Sequence, residues 1–132
     1  MPALYEIDVS ENKGVKLDAF LIACRNNCTN LQTFQFTENK NMEQFTCNPV
    51  TMIEDNGLEM LKRLDLDGSL AYEENVQFLV RSTALCNVSY LNLSNCAISP
   101  QALCDIFNSH LMTELEYLGL ANCNLSSKCM PT

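Results

Sequence analysis

Five segments of this 132-residue chain repeat one another. Leu61-Lys-Arg-Leu64-Asp-Leu66, Val88-Ser-Tyr-Leu91-Asn-Leu93 and Leu115-Glu-Tyr-Leu118-Gly-Leu120 start 27 residues apart, twice over. Leu31-Gln-Thr-Phe34-Gln-Phe36 precedes them by 30 residues, and Leu4-Tyr-Glu-Ile7-Asp-Val9 lies a further 27 back. Units of this kind cannot bury an apolar face alone and must stack on their neighbours, so the repeat governs every later reading. Within a unit the final apolar residues alternate, which is the period of a strand. In the last copy Leu115, Leu118 and Leu120 are expected to point inward, with Glu116, Tyr117 and Gly119 on or toward the open face. The ninth residue of a unit (Asn12, Asn39, Cys96, Cys123) is expected to enter the core where the chain bends away, its amide or thiol satisfying backbone groups that the bend frees. The third copy runs Gly68-Ser69-Leu70 at that point, which predicts a bend formed differently.

A helix-like stretch follows each strand motif. Leu17, Phe20, Leu21 and Cys24 share one helical face, and Val76, Leu79 and Val80 repeat that spacing. Ser99-Pro100 reads as an N-cap with proline in the first turn, leading into Leu103, Ile106 and Phe107. Asn48-Pro49 does the same before Val50, Met52 and Ile53, with Gly57 as a stop. The strand motif with its ninth Asn or Cys is the leucine-rich-repeat pattern, and the unit resembles the ribonuclease-inhibitor-like, cysteine-containing branch of that family. The resemblance implies an α/β fold: one leucine-rich-repeat domain over residues 1–132, a curved solenoid of five repeats. Short parallel strands starting at 4, 31, 61, 88 and 115 would line the concave face, with helices on the convex face. No polar cap precedes the first motif and no final helix follows the last, so a partial solenoid is expected, or one that covers its ends by self-association.

Charge narrows the partners. The chain carries 8 Lys+Arg against 16 Asp+Glu, a net charge of -8. Nucleic-acid binders and proteins that dock on anionic lipid need the opposite balance. No apolar run reaches the roughly 18 residues of a membrane span and no signal peptide opens the sequence, so a cytoplasmic protein without membrane insertion is expected. In that reducing setting the eight cysteines read as small buried hydrophobes rather than disulfides, and four N-x-S/T triplets have no consequence. Zinc is disfavoured because there is no CxxC, one histidine, and Cys24-x3-Cys28 without a second ligand pair.

No constellation for catalysis emerges, and no cofactor or metal is expected. Phosphate-binding glycine motifs are absent, His110 falls at a helix end, and Cys104 reads as core. Asp65-Leu66-Asp67 is half of a calcium loop without its Gly and terminal Glu, and Glu73-Glu74 suits a solvated helix start. The expected function is therefore a non-enzymatic scaffold that binds another protein through the concave face. One column of that face holds Glu6, Thr33, Arg63, Tyr90 and Tyr117; the next holds Asp8, Gln35, Asp65, Asn92 and Gly119; a third holds Tyr5, Gln32, Lys62, Ser89 and Glu116. Candidate partner-binding residues are Tyr90, Tyr117, Arg63, Asp65, Glu6, Asp8, Gln35 and Asn92. Tyrosines on adjacent strands serve either as interaction anchors or as a same-face ladder that stabilises the sheet. Arg63 with Asp65 and Lys62 either holds a partner's carboxylate or forms a surface ion pair.

A narrower resemblance rests on Asp8-Val9-Ser10-Glu11-Asn12, on Thr37-Glu38-Asn39-Lys40-Asn41-Met42, and on Met52-Ile53-Glu54-Asp55. These stretches look like the repeat region of the CARMIL family, cytoplasmic regulators of actin-capping protein. That likeness implies a fragment of such a regulator. The family's capping-protein segment lies outside its repeats, so no site residue carries over.

Overall fold

The structure is a computed structural model that describes residues 3–12, 17–38, 58–70, 76, 79, 85–109 and 113–125. Five strands of three residues each form one parallel sheet: β1 (Glu6–Asp8), β2 (Thr33–Gln35), β3 (Arg63–Asp65), β4 (Tyr90–Asn92) and β5 (Tyr117–Gly119). Their order in the sheet is their order in the chain. Register follows the repeat without slippage: Glu6, Thr33, Arg63, Tyr90 and Tyr117 lie side by side, as do Asp8, Gln35, Asp65, Asn92 and Gly119. A one-residue slip would turn every inward leucine to solvent, so the alternation enforces this pairing.

Backbone hydrogen bonds repeat with the same step. Just before each strand, one carbonyl accepts two N–H groups of the next unit: Tyr5 from Gln32 and Thr33, Gln32 from Lys62 and Arg63, Lys62 from Ser89 and Tyr90, Ser89 from Glu116 and Tyr117. The turn into a strand is also common to three units, with Leu31, Leu61 and Val88 donating back to the carbonyls of Cys28, Leu58 and Leu85. These three acceptors are buried, an inward position that the strand motif alone did not reveal.

The core is a stack of equivalent residues. Leu31, Phe34 and Phe36, then Leu61, Leu64 and Leu66, then Val88, Leu91 and Leu93 are all at most 1% exposed. Each such side chain contributes about 1.5–3 kcal/mol on leaving water. In the fifth unit the corresponding Leu115, Leu118 and Leu120 are only partly buried, and no further described strand lies beyond them. Phe34 stacks on Phe36 at 6.0 Å and meets the edge of Phe20 at 5.6 Å, tying the second unit to the helix before it.

Two helices are defined end to end among the described residues. α1 (Leu17–Asn27) turns Cys24 into the core and half-buries Phe20. α2 (Pro100–Phe107) begins as the sequence requires, the Ser99 hydroxyl accepting the Ala102 N–H at 3.1 Å with Pro100 in the first turn. Its buried stripe is Ala102, Leu103 and Ile106; Phe107, expected on that stripe, is 51% exposed, and Cys104, expected in the core, is half-exposed. Val76 and Leu79 are buried as their spacing predicts. The expected helix start at Asn48-Pro49, together with Asn39, Glu73-Glu74, Val80 and His110, lies outside the described residues. No helix of the described residues is long and apolar enough to cross a membrane.

Candidate functional site

The bends after the strands set the edge of the candidate face. The eighth residue of every unit has a left-handed backbone: Glu11, Glu38, Gly68, Asn95 and Asn122 have φ of 61°, 59°, 71°, 58° and 55°. Gly68 therefore occupies the same place in its bend as its counterparts, which corrects the expectation of a different bend in the third unit. The ninth residue repeats its role as well. Cys96 donates through Sγ to the Leu66 carbonyl at 3.2 Å and Cys123 to the Leu93 carbonyl at 3.1 Å, each in the preceding unit. Ser69 donates through its hydroxyl to the equivalent Phe36 carbonyl, so a serine fills the place of the cysteine. In the first unit Asn12 Nδ2 donates to the carbonyls of Val9 and Ser10. The six described cysteines are free thiols, and burial pushes the Cys24 and Cys96 thiols above their usual range.

This bend takes up three of the eight candidate residues. Asp8 Oδ1 accepts the Ser10 N–H at 3.0 Å, Asp65 Oδ1 accepts the Asp67 N–H at 3.2 Å, and Asn92 Oδ1 accepts the Ser94 N–H at 3.0 Å. Each closes a local turn by accepting a backbone N–H two residues on, a habit of Asx side chains. The Ser10 hydroxyl, and after it this N–H, hold the Asp8 carboxyl below its usual range. Asn92 is only 9% exposed, so the structure gives it a supporting role rather than the contact expected of it. Its amide lies over Gly119, where a Cβ would stand 3.0 Å from Asn92 Cγ and 3.1 Å from Ser94 Oγ. Gly119 is buried for the same reason, although its position in the repeat faces the open side.

The neighbouring column is built differently. Tyr90 and Tyr117 stack face to face, ring centroids 4.3 Å apart and planes 6° from parallel. The Arg63 guanidinium carbon stands 3.8 Å from the centre of the Tyr90 ring. Adjacent parallel strands therefore align one cation and two rings into a single column, because residues in register project side by side from the same face. Arg63 and Tyr90 are half-buried while Tyr117 is 47% exposed. Partial burial, and after it the Asp65 carboxylate, push the Tyr90 phenol above its usual range against the opposing pull of Arg63. Glu6 and Asp8 are exposed at the β1 edge and Gln35 is half-exposed between the two halves of the face. The structure thus brings together Arg63, Tyr90, Tyr117 and Asp65, and leaves Glu6 and Asp8 apart from them at the other side of the sheet.

Away from this column, a recess of about 540 Å³ opens beside β1 and α1, lined by Leu4, Ile7, Phe20, Cys24 and Cys28 among others. Nothing in the repeat motif pointed to it, since it arises where α1 and the first strand meet. Among the described residues no three His, Cys, Asp or Glu side chains converge to hold a metal ion. Neither a scan against protein-family models nor searches of curated proteins and of solved structures found a match to this chain.

Proposed function

We propose that this chain is a leucine-rich-repeat solenoid, of the ribonuclease-inhibitor-like kind, that works as a non-enzymatic scaffold and binds a protein partner through its concave face. The parallel sheet in chain order, the 27-residue step and the recurring left-handed bend all support that architecture. The observation that carries the function is the Arg63–Tyr90–Tyr117 column, a rigid aromatic and guanidinium surface held open on the sheet. Tyr and Arg dominate binding hot spots, and pre-stacking reduces the entropy lost on association. The free thiols of the described cysteines support a reducing compartment, the cytoplasm, as the working location. Affinity capture from a reducing cell lysate tests the reading, with a Tyr90→Ala/Tyr117→Ala variant alongside and circular dichroism to verify its fold. Capture of a defined protein by the wild type and its loss in the folded variant is expected. Equal capture by both forms moves recognition off this face. The CARMIL resemblance extends the proposal to actin assembly, and actin-capping or actin-nucleating proteins among those captured would support that extension.

A further inference from the structure

Among the described residues, the stacked column has one end already occupied and the other open. Arg63 covers one end of the two-ring stack, Tyr90 sits in the middle, and Tyr117 ends it on β5, the last described strand of the sheet. Because the rings are nearly parallel, one face of Tyr117 rests on Tyr90 and the other points past β5. Among the described residues Tyr90 is the only ring or cation in contact with it. An electron-rich ring face in that position takes a cation or another ring.

Charge selects between them. The column lies beside Asp65, Glu116 flanks Tyr117 in sequence and is exposed, and Glu114 is exposed just before the strand. The one guanidinium nearby is already committed to Tyr90, and the chain as a whole carries -8. An acidic or phosphorylated partner would be repelled from this end of the face, whereas a basic one is drawn to it. We infer that the partner is a basic protein segment that lays a Lys or Arg side chain on the outer face of Tyr117, extending the column to cation–ring–ring–cation, with Glu116 and Glu114 receiving neighbouring positive charge. This inference rests on the concave face being the interaction surface.

The test uses the whole chain and two fluorescein-labelled peptides, (Arg-Gly)4 and (Asp-Gly)4, titrated by fluorescence anisotropy at moderate salt. The basic peptide is expected to bind and the acidic one not to. Tyr117→Phe keeps the ring face and should hold affinity within about twofold, while Tyr117→Leu should weaken it by about two- to fivefold, the range of an exposed cation–π contact. Glu116→Lys leaves the stack intact at an exposed position and should also weaken binding, which guards against a folding defect in the leucine variant. Binding of the basic peptide no better than the acidic one overturns the inference, as does unchanged affinity in both Tyr117→Leu and Glu116→Lys. Amide shift mapping separates the two levels. Perturbations confined to residues away from the strand columns overturn the concave-face reading itself, whereas perturbations on the columns with Tyr117→Leu unaffected overturn only the seat of the cation.

Discussion

Single residues in this protein are best understood through the carbonyls and amides they satisfy. In three units the ninth residue reaches back to a backbone carbonyl of the unit before it, Ser69 through a hydroxyl and Cys96 and Cys123 through a thiol. The Leu66 carbonyl that takes the Cys96 thiol also accepts the Ser69 N–H at 3.0 Å, so removing the thiol forfeits one hydrogen bond, about 0.5–1.5 kcal/mol, without leaving the carbonyl bare. Cys96→Ala should therefore lower unfolding stability by about 1 kcal/mol in a urea titration. Cys96→Ser, which copies the arrangement at Ser69, should stay much closer to wild type. Equal losses in the two variants would show that packing volume, rather than the hydrogen bond, selects the cysteine. Sequence made the thiol's structural role legible, because Asn and Cys alternate at one repeat position. It did not show that Ser69 belongs to the same set, since the glycine before it looked like a break in the motif when it is the left-handed residue every unit needs.

Elements follow local rules where a cap or an alternation declares them. α2 starts at Ser99-Pro100 because the serine hydroxyl takes an N–H that the first helical turn leaves unpaired, and proline has none to lose. Ser99→Ala should cost about 1 kcal/mol and Ser99→Gly only a few tenths, read as shifts in the urea midpoint. A full-sized loss with glycine would mean that the side chain does more than cap. The exposed Phe107 marks the limit of periodicity: 3.6-residue spacing fixes which residues share a face, but the face a helix buries ends where its neighbour ends. The turning of Asp8, Asp65 and Asn92 into turn-closing acceptors was hidden for a similar reason. An Asx residue that ends a strand looks the same in sequence whether it addresses a partner or its own backbone.

At the scale of the molecule, the described units pack their apolar residues into one core that also holds buried thiols. Burial, and after it the neighbouring Cys28, raise the Cys24 thiol from an ordinary 9.0 to about 12. Unfolded chains lose that proton first, so folded protein holds more protons between these values, and stability falls as pH rises from about 9 toward 12. Below about 9 this contribution is fully present and flat. Urea midpoints at pH 7, 8.5 and 10 should therefore be similar for the first pair and lower for the last. Cys24→Ala, though less stable throughout, should show a shallower drop; an identical drop would assign the pH sensitivity to other groups such as Tyr90, whose phenol is also raised.

The chain's order of strands, their register and the residues that form the inner stack were readable directly from residues 4 to 125, because a recurring alternating motif admits one pairing that turns all its apolar residues to the same side. The three columns of the open face followed from the same arithmetic. Contact between side chains did not. That Arg63, Tyr90 and Tyr117 close into one stack, that the Asn92 amide occupies the space above Gly119, and that Leu115, Leu118 and Leu120 remain half-covered depend on distances across strands and on what lies beyond the last one. Periodicity specifies which face a side chain leaves from; only the packed neighbours specify what it meets there.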